Sequence, residues 1–85
     1  MNENVDEILE YAEELDTRGL YCPEPLFEVR HLSETLKTGQ CFKVLADDPA
    51  AEEDLKRWAK RTESKIVEFR KDANGDLIFV FKKMK

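Results

Sequence analysis

Apolar residues recur along this chain with two alternating periods, one helical and one extended. Leu26, Val29, Leu32 and Leu36 repeat at helical spacing and Gly39 follows as a helix-ending residue, which predicts a long helix from Pro23 to Leu36. Ala51, Leu55, Trp58 and Thr62 predict a second amphipathic helix. Its start is marked by Asp47-Asp48-Pro49, where an aspartate can accept from free N–H groups and proline suits the first turn. Between the helices, Cys41–Ala46 alternates as a strand does, with Phe42, Val44 and Ala46 on one face and Cys41, Lys43 and Leu45 on the other. Residues 65–71 and 76–82 read as two further strands around Asp72-Ala73-Asn74-Gly75, whose Asn-Gly pair is a hairpin signal. Leu77, Phe79 and Phe81 oppose Ile78 and Val80, so the last strand is apolar on both faces and either lies centrally or meets a partner.

The N-terminal part is less defined. Val5, Ile8, Leu9 and Ala12 fall at helical spacing with Asn4 and Glu7 in capping-box positions, and predict a short helix that acts as an extension or as a partner-dependent segment. Residues 13–17, with Leu15 their one clearly apolar member, form a short extended segment before the turn of 18–21. The division is thus an extension over 1–12 and a single domain over 13–85. The order β-α-β-α-β-β finds its natural solution as an α+β two-layer sandwich, two helices on one face of a four-stranded mixed sheet.

Length and charge narrow the functions available. A chain of 85 residues forms one domain with a modest core, since folding at this size buries only about 60% of the unfolded surface. A formal charge of −5 with 39% charged residues disfavours non-specific nucleic-acid binding. The charge is uneven. Arg18, Arg30, Lys37 and Lys43 are the bases before Lys56, whereas from Lys56 onward bases outnumber Glu63, Glu68, Asp72 and Asp76, an asymmetry that is either a solvated surface or one suited to docking protein partners. Cys22 and Cys41 form no CxxC pair and His31 cannot complete a zinc site with them, so no metal and no cofactor is expected. Residues 1–14 are acidic without the apolar run of a signal peptide, and no stretch approaches the roughly 18 apolar residues of a membrane span. The expected setting is the cytoplasm, with both thiols free.

The candidate chemistry lies in Arg18-Gly19-Leu20-Tyr21-Cys22-Pro23-Glu24-Pro25-Leu26. Gly19 permits a sharp bend, Pro23 and Pro25 suit a first helical turn, and the helix begins with either Cys22 or Glu24 as its N-cap. Either register sets the sulfur above a helix N-terminus, where the macrodipole and the N–H groups of Glu24 and Leu26 favour thiolate. Arg18 would add to this and Glu24 oppose it, so a moderately lowered thiol pKa is expected. Phe27 is expected at the edge of the core near the cysteine, His31 at a solvated edge, and Cys41 as a bystander on the face it shares with Lys43.

Cys22-Pro23-Glu24-Pro25, preceded by Leu15-Asp16 and Arg18-Gly19-Leu20 and followed by Gly39 and Ala46-Asp47-Asp48-Pro49-Ala50, resembles the TusA/SirA-like sulfur carriers with their CPxP motif. The resemblance runs from about Leu15 to the C-terminus and implies that residues 13–17 form the first strand. It implies that Cys22 accepts sulfane sulfur as a persulfide, that Pro23 and Pro25 frame it, that Asp47 and Asp48 belong to a second motif, and that Glu24 sits at the variable position. It further implies a cysteine desulfurase or another sulfurtransferase as donor, and a relay protein leading toward tRNA thiolation, cofactor sulfuration or sulfur oxidation as acceptor. The alternative from a different class is a regulatory or RNA- or protein-binding module of the same fold, with Cys22 inert or redox-sensing.

Overall fold

The computed structural model describes residues 11–85; the helix expected over residues 4–11 lies almost wholly outside them. The elements are β1 (Glu13–Asp16), α1 (Glu24–Thr35), β2 (Cys41–Ala46), α2 (Pro49–Thr62), β3 (Lys65–Lys71) and β4 (Leu77–Lys82). They form one four-stranded sheet in the order β1-β2-β4-β3. β1 and β2 are parallel, as strands joined by a helical crossover are, and β4 is antiparallel to both β2 and β3.

β4 lies inside the sheet, which accounts for its two apolar faces. Leu77, Phe79 and Phe81 point into a core shared with Phe42, Val44 and Ala46 of β2, Val29 of α1 and Ala51, Leu55, Trp58 and Ala59 of α2. Both helices thus lie on this one face. On the other face Ile78 pairs with Leu45 and Arg70, and Val80 with Lys43 and Glu68, so long side chains flank the two aliphatic residues and their stems line the same surface. The aromatic centre is dense. The Phe79 and Phe81 rings stack at 5.0 Å, Phe42 lies 5.4 Å from Phe81, and Trp58 meets Phe81 edge-on at 5.4 Å. Such pairs add about 0.5–1.5 kcal/mol each beyond their area.

Two expectations about the helix faces are corrected. Thr62 is exposed; its hydroxyl bonds the Trp58 carbonyl at 2.9 Å, and Ala59 takes the buried position instead. Phe27 is 52% exposed rather than packed at the core edge. The buried line of α1 is Pro25, Val29 and Ser33, one residue every four, with Leu26, Leu32 and Leu36 half-buried beside it, and Phe27 falls outside this arc. Its ring carries the Arg30 guanidinium at 5.8 Å.

The β3–β4 hairpin closes through Gly75, whose φ of +87° is the left-handed conformation that glycine adopts without penalty. Asp72 fixes the turn: its side chain accepts from the N–H groups of Asn74 and Asp76, both at 2.9 Å.

Candidate functional site

The parallel pairing of β1 and β2 brings the two helix N-termini to the same end of the sheet, because both helices follow the C-terminal ends of these strands, α1 after the loop of residues 17–23 and α2 after Asp47 and Asp48. The loop between β1 and α1 makes two consecutive tight turns there. In the first, Leu20 N–H bonds the Thr17 carbonyl at 3.1 Å and Gly19 has φ +89°. In the second, Glu24 N–H bonds the Tyr21 carbonyl at 2.8 Å, and the Cys22–Pro23 peptide is cis. Thr17 anchors the loop from beneath: it is fully buried, and both its N–H and its hydroxyl donate to the Leu45 carbonyl, at 2.7 and 2.6 Å.

Asp47 and Asp48, at the junction of β2 and α2, hold this loop from the other side. Asp47 Oδ1 accepts from Gly19 N–H at 3.0 Å, and Asp48 Oδ2 accepts from Cys22 N–H at 2.7 Å. Asp48 is also the N-cap of α2, its Oδ1 accepting from Ala50 N–H at 3.1 Å with Pro49 in the first turn. One carboxylate therefore starts a helix and fixes the backbone of Cys22. Arg18 acts upstream of the loop. It forms ion pairs with Asp16 at 2.8 Å and Asp76 at 3.2 Å, which tie the loop to both β1 and the start of β4. Those carboxylates hold the guanidinium firmly protonated, and Arg18 in turn holds Asp16 down to a pKa of about 2.

Two expectations for the thiol are overturned. The N-cap of α1 is neither Cys22 nor Glu24 but Pro23, with no side-chain cap. The Glu24 N–H is taken by Tyr21 and so is not free for the sulfur. The Cys22 thiol is raised above the ordinary cysteine value, not lowered. Its S–H donates to Asp54 Oδ2 at 2.7 Å, which favours the protonated form; loss of solvation and the charges of Asp54 and Asp48 push the same way. The helix-terminus argument fails because Asp54 accepts the S–H and the charge of Asp48 acts in the same direction, while Arg18 is paired with Asp16 and Asp76.

The remaining placements are plain. Cys22 is exposed, as is Tyr21 beside it at 75%. Pro25 is buried against the core while Pro23 and Glu24 are exposed. Gly19, Cys22, Asp47 and Asp48 come together with Arg18 at one edge. Cys41 is half-buried at the start of β2 and pairs with Lys82, and His31 is exposed farther along α1.

Asp54 escaped the sequence reading. It sits three residues after Ala51 and four before Trp58, at the edge of the buried stripe in the opening turns of α2. That spacing, on a helix starting beside the cysteine loop, was the available signal. Among the described residues no group of His, Cys, Asp and Glu is arranged to hold a metal ion, and no helix is long and apolar enough to cross a membrane.

The site is thus an exposed cysteine on a braced loop, set where two helices start in a small α+β sandwich. The chain belongs to the sulfurtransferase TusA family, whose model matches residues 13–83. It is 44% identical over 72 residues to an Archaeoglobus fulgidus protein provisionally named as a sulfur carrier, covering 85% of this chain and 94% of that one. It is 32% identical over 74 residues to the sulfur carrier protein TusA of Allochromatium vinosum, covering 87% and 96%. The SirA-like protein of Desulfitobacterium hafniense shares the fold, with a TM-score of 0.72 at 22% identity, over 86% of this chain and 99% of that one.

Proposed function

We propose that this chain is a sulfur carrier in which Cys22 takes a sulfane sulfur from a donor protein, holds it as a persulfide and hands it to an acceptor. The observation that carries this reading is the exposed Cys22 on a loop fixed by Asp47 and Asp48, in a member of a family of sulfurtransferases. Thiol–persulfide exchange depends on access to the attacking sulfur and on its ionised fraction. Exposure on a braced edge provides the first. Arg18, Gly19, Pro23 and Pro25 shape the loop and helix start, Asp47 and Asp48 hold them, and Glu24 lies on the rim a partner would meet.

The activity belongs to a pair of proteins, since Cys22 stands exposed on its loop and the sulfur must come from and go to another molecule. A cysteine desulfurase or another sulfurtransferase fits as donor, and a relay protein serving tRNA thiolation, cofactor sulfuration or sulfur oxidation as acceptor. Two free thiols suit the reducing cytoplasm. An RNA-binding role is not favoured, because Asp48 and Asp54 face the loop and would repel phosphates.

Mass spectrometry after incubation with a cysteine desulfurase and free cysteine tests the assignment. A gain of one sulfur atom is expected, reversible by dithiothreitol, absent in Cys22→Ser and retained in Cys41→Ser. Loading that followed Cys41 instead would end the proposal.

A further inference from the structure

Asp54 takes no part in capping α2, yet among the described residues its carboxylate is the side-chain group hydrogen-bonded to the sulfur. Its Oδ2 receives the Cys22 S–H at 2.7 Å, and its Oδ1 lies 3.6 Å from the Arg57 guanidinium, one turn farther along α2. The other acids nearby are engaged with backbone. Asp48 uses one oxygen for Cys22 N–H and the other for Ala50 N–H, and Asp47 accepts from Gly19 N–H. Arg18 is paired with Asp16 and Asp76, and Glu24, in the first turn of α1, is exposed.

We propose that Asp54 is the proton acceptor for Cys22, taking the thiol proton as the sulfur attacks the donor. The proposal rests on the carrier reading above and assigns this residue a role within it. In the step, the Cys22 S–H proton passes to Asp54 Oδ2 while Sγ attacks the terminal sulfur of the donor persulfide, R–S–S–H. The donor's S–S bond breaks, its cysteine leaves as thiolate R–S⁻, and Cys22 carries S–S–H. The sulfane sulfur changes hands without net oxidation or reduction. Between transfers the same contact keeps Cys22 as a thiol, a weak nucleophile that is slow to oxidise. Arg57 balances the carboxylate from its far side and leaves Oδ2 to the sulfur.

This role makes two measurements move in opposite directions, which a merely repulsive charge cannot do. Asp54→Asn, in a Cys41→Ser background so that one thiol reports, removes both the acceptor and the charge. The pH midpoint for alkylation of Cys22 by iodoacetamide then falls. Below the midpoint the rate rises about three- to fourfold per pH unit of that fall, because the gain in thiolate exceeds its loss of intrinsic nucleophilicity. Sulfur loading from glutathione persulfide at neutral pH instead slows by about a hundredfold, the scale of a lost general base. Asp54→Glu, which restores a carboxylate, recovers part of the loading. If loading by Asp54→Asn rises with alkylation or stays level, Asp54 only suppresses the thiol and the proposal is overturned. An unmoved alkylation midpoint overturns it too, by removing the contact itself. Failure of the wild-type chain to load from either glutathione persulfide or a desulfurase sinks the carrier reading, and the alkylation midpoint still reports separately whether Asp54 governs the thiol.

Discussion

The two helices follow parallel strands, α1 after a loop of residues 17–23 and α2 after Asp47 and Asp48, each with a proline in the first turn, and they solve the problem of a helix start differently. α2 is closed locally, since Asp48 precedes Pro49 and its own carboxylate accepts from Ala50 N–H. α1 has no side-chain cap at Pro23, and the cysteine before it gives its N–H to Asp48 and its S–H to Asp54, residues 26 and 32 positions away. One start is a stability device written into adjacent residues. The other leaves its cysteine to Asp48 and Asp54, side chains distant in sequence that hold it in place without covering it.

Asp48 joins the two starts, so its removal has the largest expected effect. Asp48→Ala loses an N-cap, worth about 1 kcal/mol, and the charged acceptor of the Cys22 N–H, a kind of bond worth about 1.5–3 kcal/mol where water cannot replace it. Because the loop is exposed and water can replace the acceptor, the expected total is about 2 kcal/mol, read as a lower urea midpoint with an unchanged m-value. Asp48→Asn separates charge from hydrogen bonding. It keeps a good cap and an acceptor, so stability should stay within about 0.5 kcal/mol while the alkylation midpoint of Cys22 falls, as removing a neighbouring negative charge requires. A loss of stability in Asp48→Asn equal to that in Asp48→Ala would mean that charge, and not hydrogen bonding, unites the two helix starts.

The prolines sharpen the contrast at a smaller scale. Pro25 is fully buried and Pro49 is exposed, although both occupy first turns. Substitution of either by alanine frees the unfolded chain, at about 0.4–1 kcal/mol. Only Pro25→Ala also empties packed volume, so it should cost about 1–2 kcal/mol by chemical denaturation against about 0.5 kcal/mol for Pro49→Ala. Equal losses would show that the buried ring contributes no packing.

This contrast also explains what could be read from the chain and what could not. β2 and β3 have the bounds expected from alternation, and the α2 start was legible from Asp47-Asp48-Pro49, because these are relations among neighbours. Ile78 and Val80 being as apolar as Phe79 and Phe81 left a central strand or a partner-facing one, and the sheet order selects the first. That Gly19, Cys22 and the two prolines form a turn leading into a helix was legible too, because it is again a relation among neighbours. The state of the thiol was not. A helix dipole argument sees only the local backbone, whereas the sign of the shift at Cys22 is set by Asp54 and Asp48, which arrive through the parallel pairing of β1 with β2. Phe27 was misplaced for a related reason: its helical spacing is close to the buried line, and only the docking angle of α1, with Pro25 and Ser33 inward, turns it to solvent.

The smallest effect concerns the loop's upstream anchor, where Arg18 ties Asp16 of β1 to Asp76 before β4. Asp16 titrates near 2 in the folded chain, chiefly because its side chain accepts from the Arg18 guanidinium and also from the Arg18 N–H, against about 3.9 for an unfolded aspartate. A folded pKa below the unfolded one means that the contribution to stability is fully present above about pH 4 and is lost as the pH falls toward 2. Both partners are about half exposed, so solvent and salt screen the pair and the contribution is slight. Urea midpoints of the wild type and Asp16→Asn should therefore differ a little at pH 7 in low salt and converge by pH 2, with added salt narrowing the gap at pH 7. A gap that persisted unchanged through acid would assign the difference to the shape of the turn at Arg18 and Gly19, leaving the ion pair no share in bracing the loop.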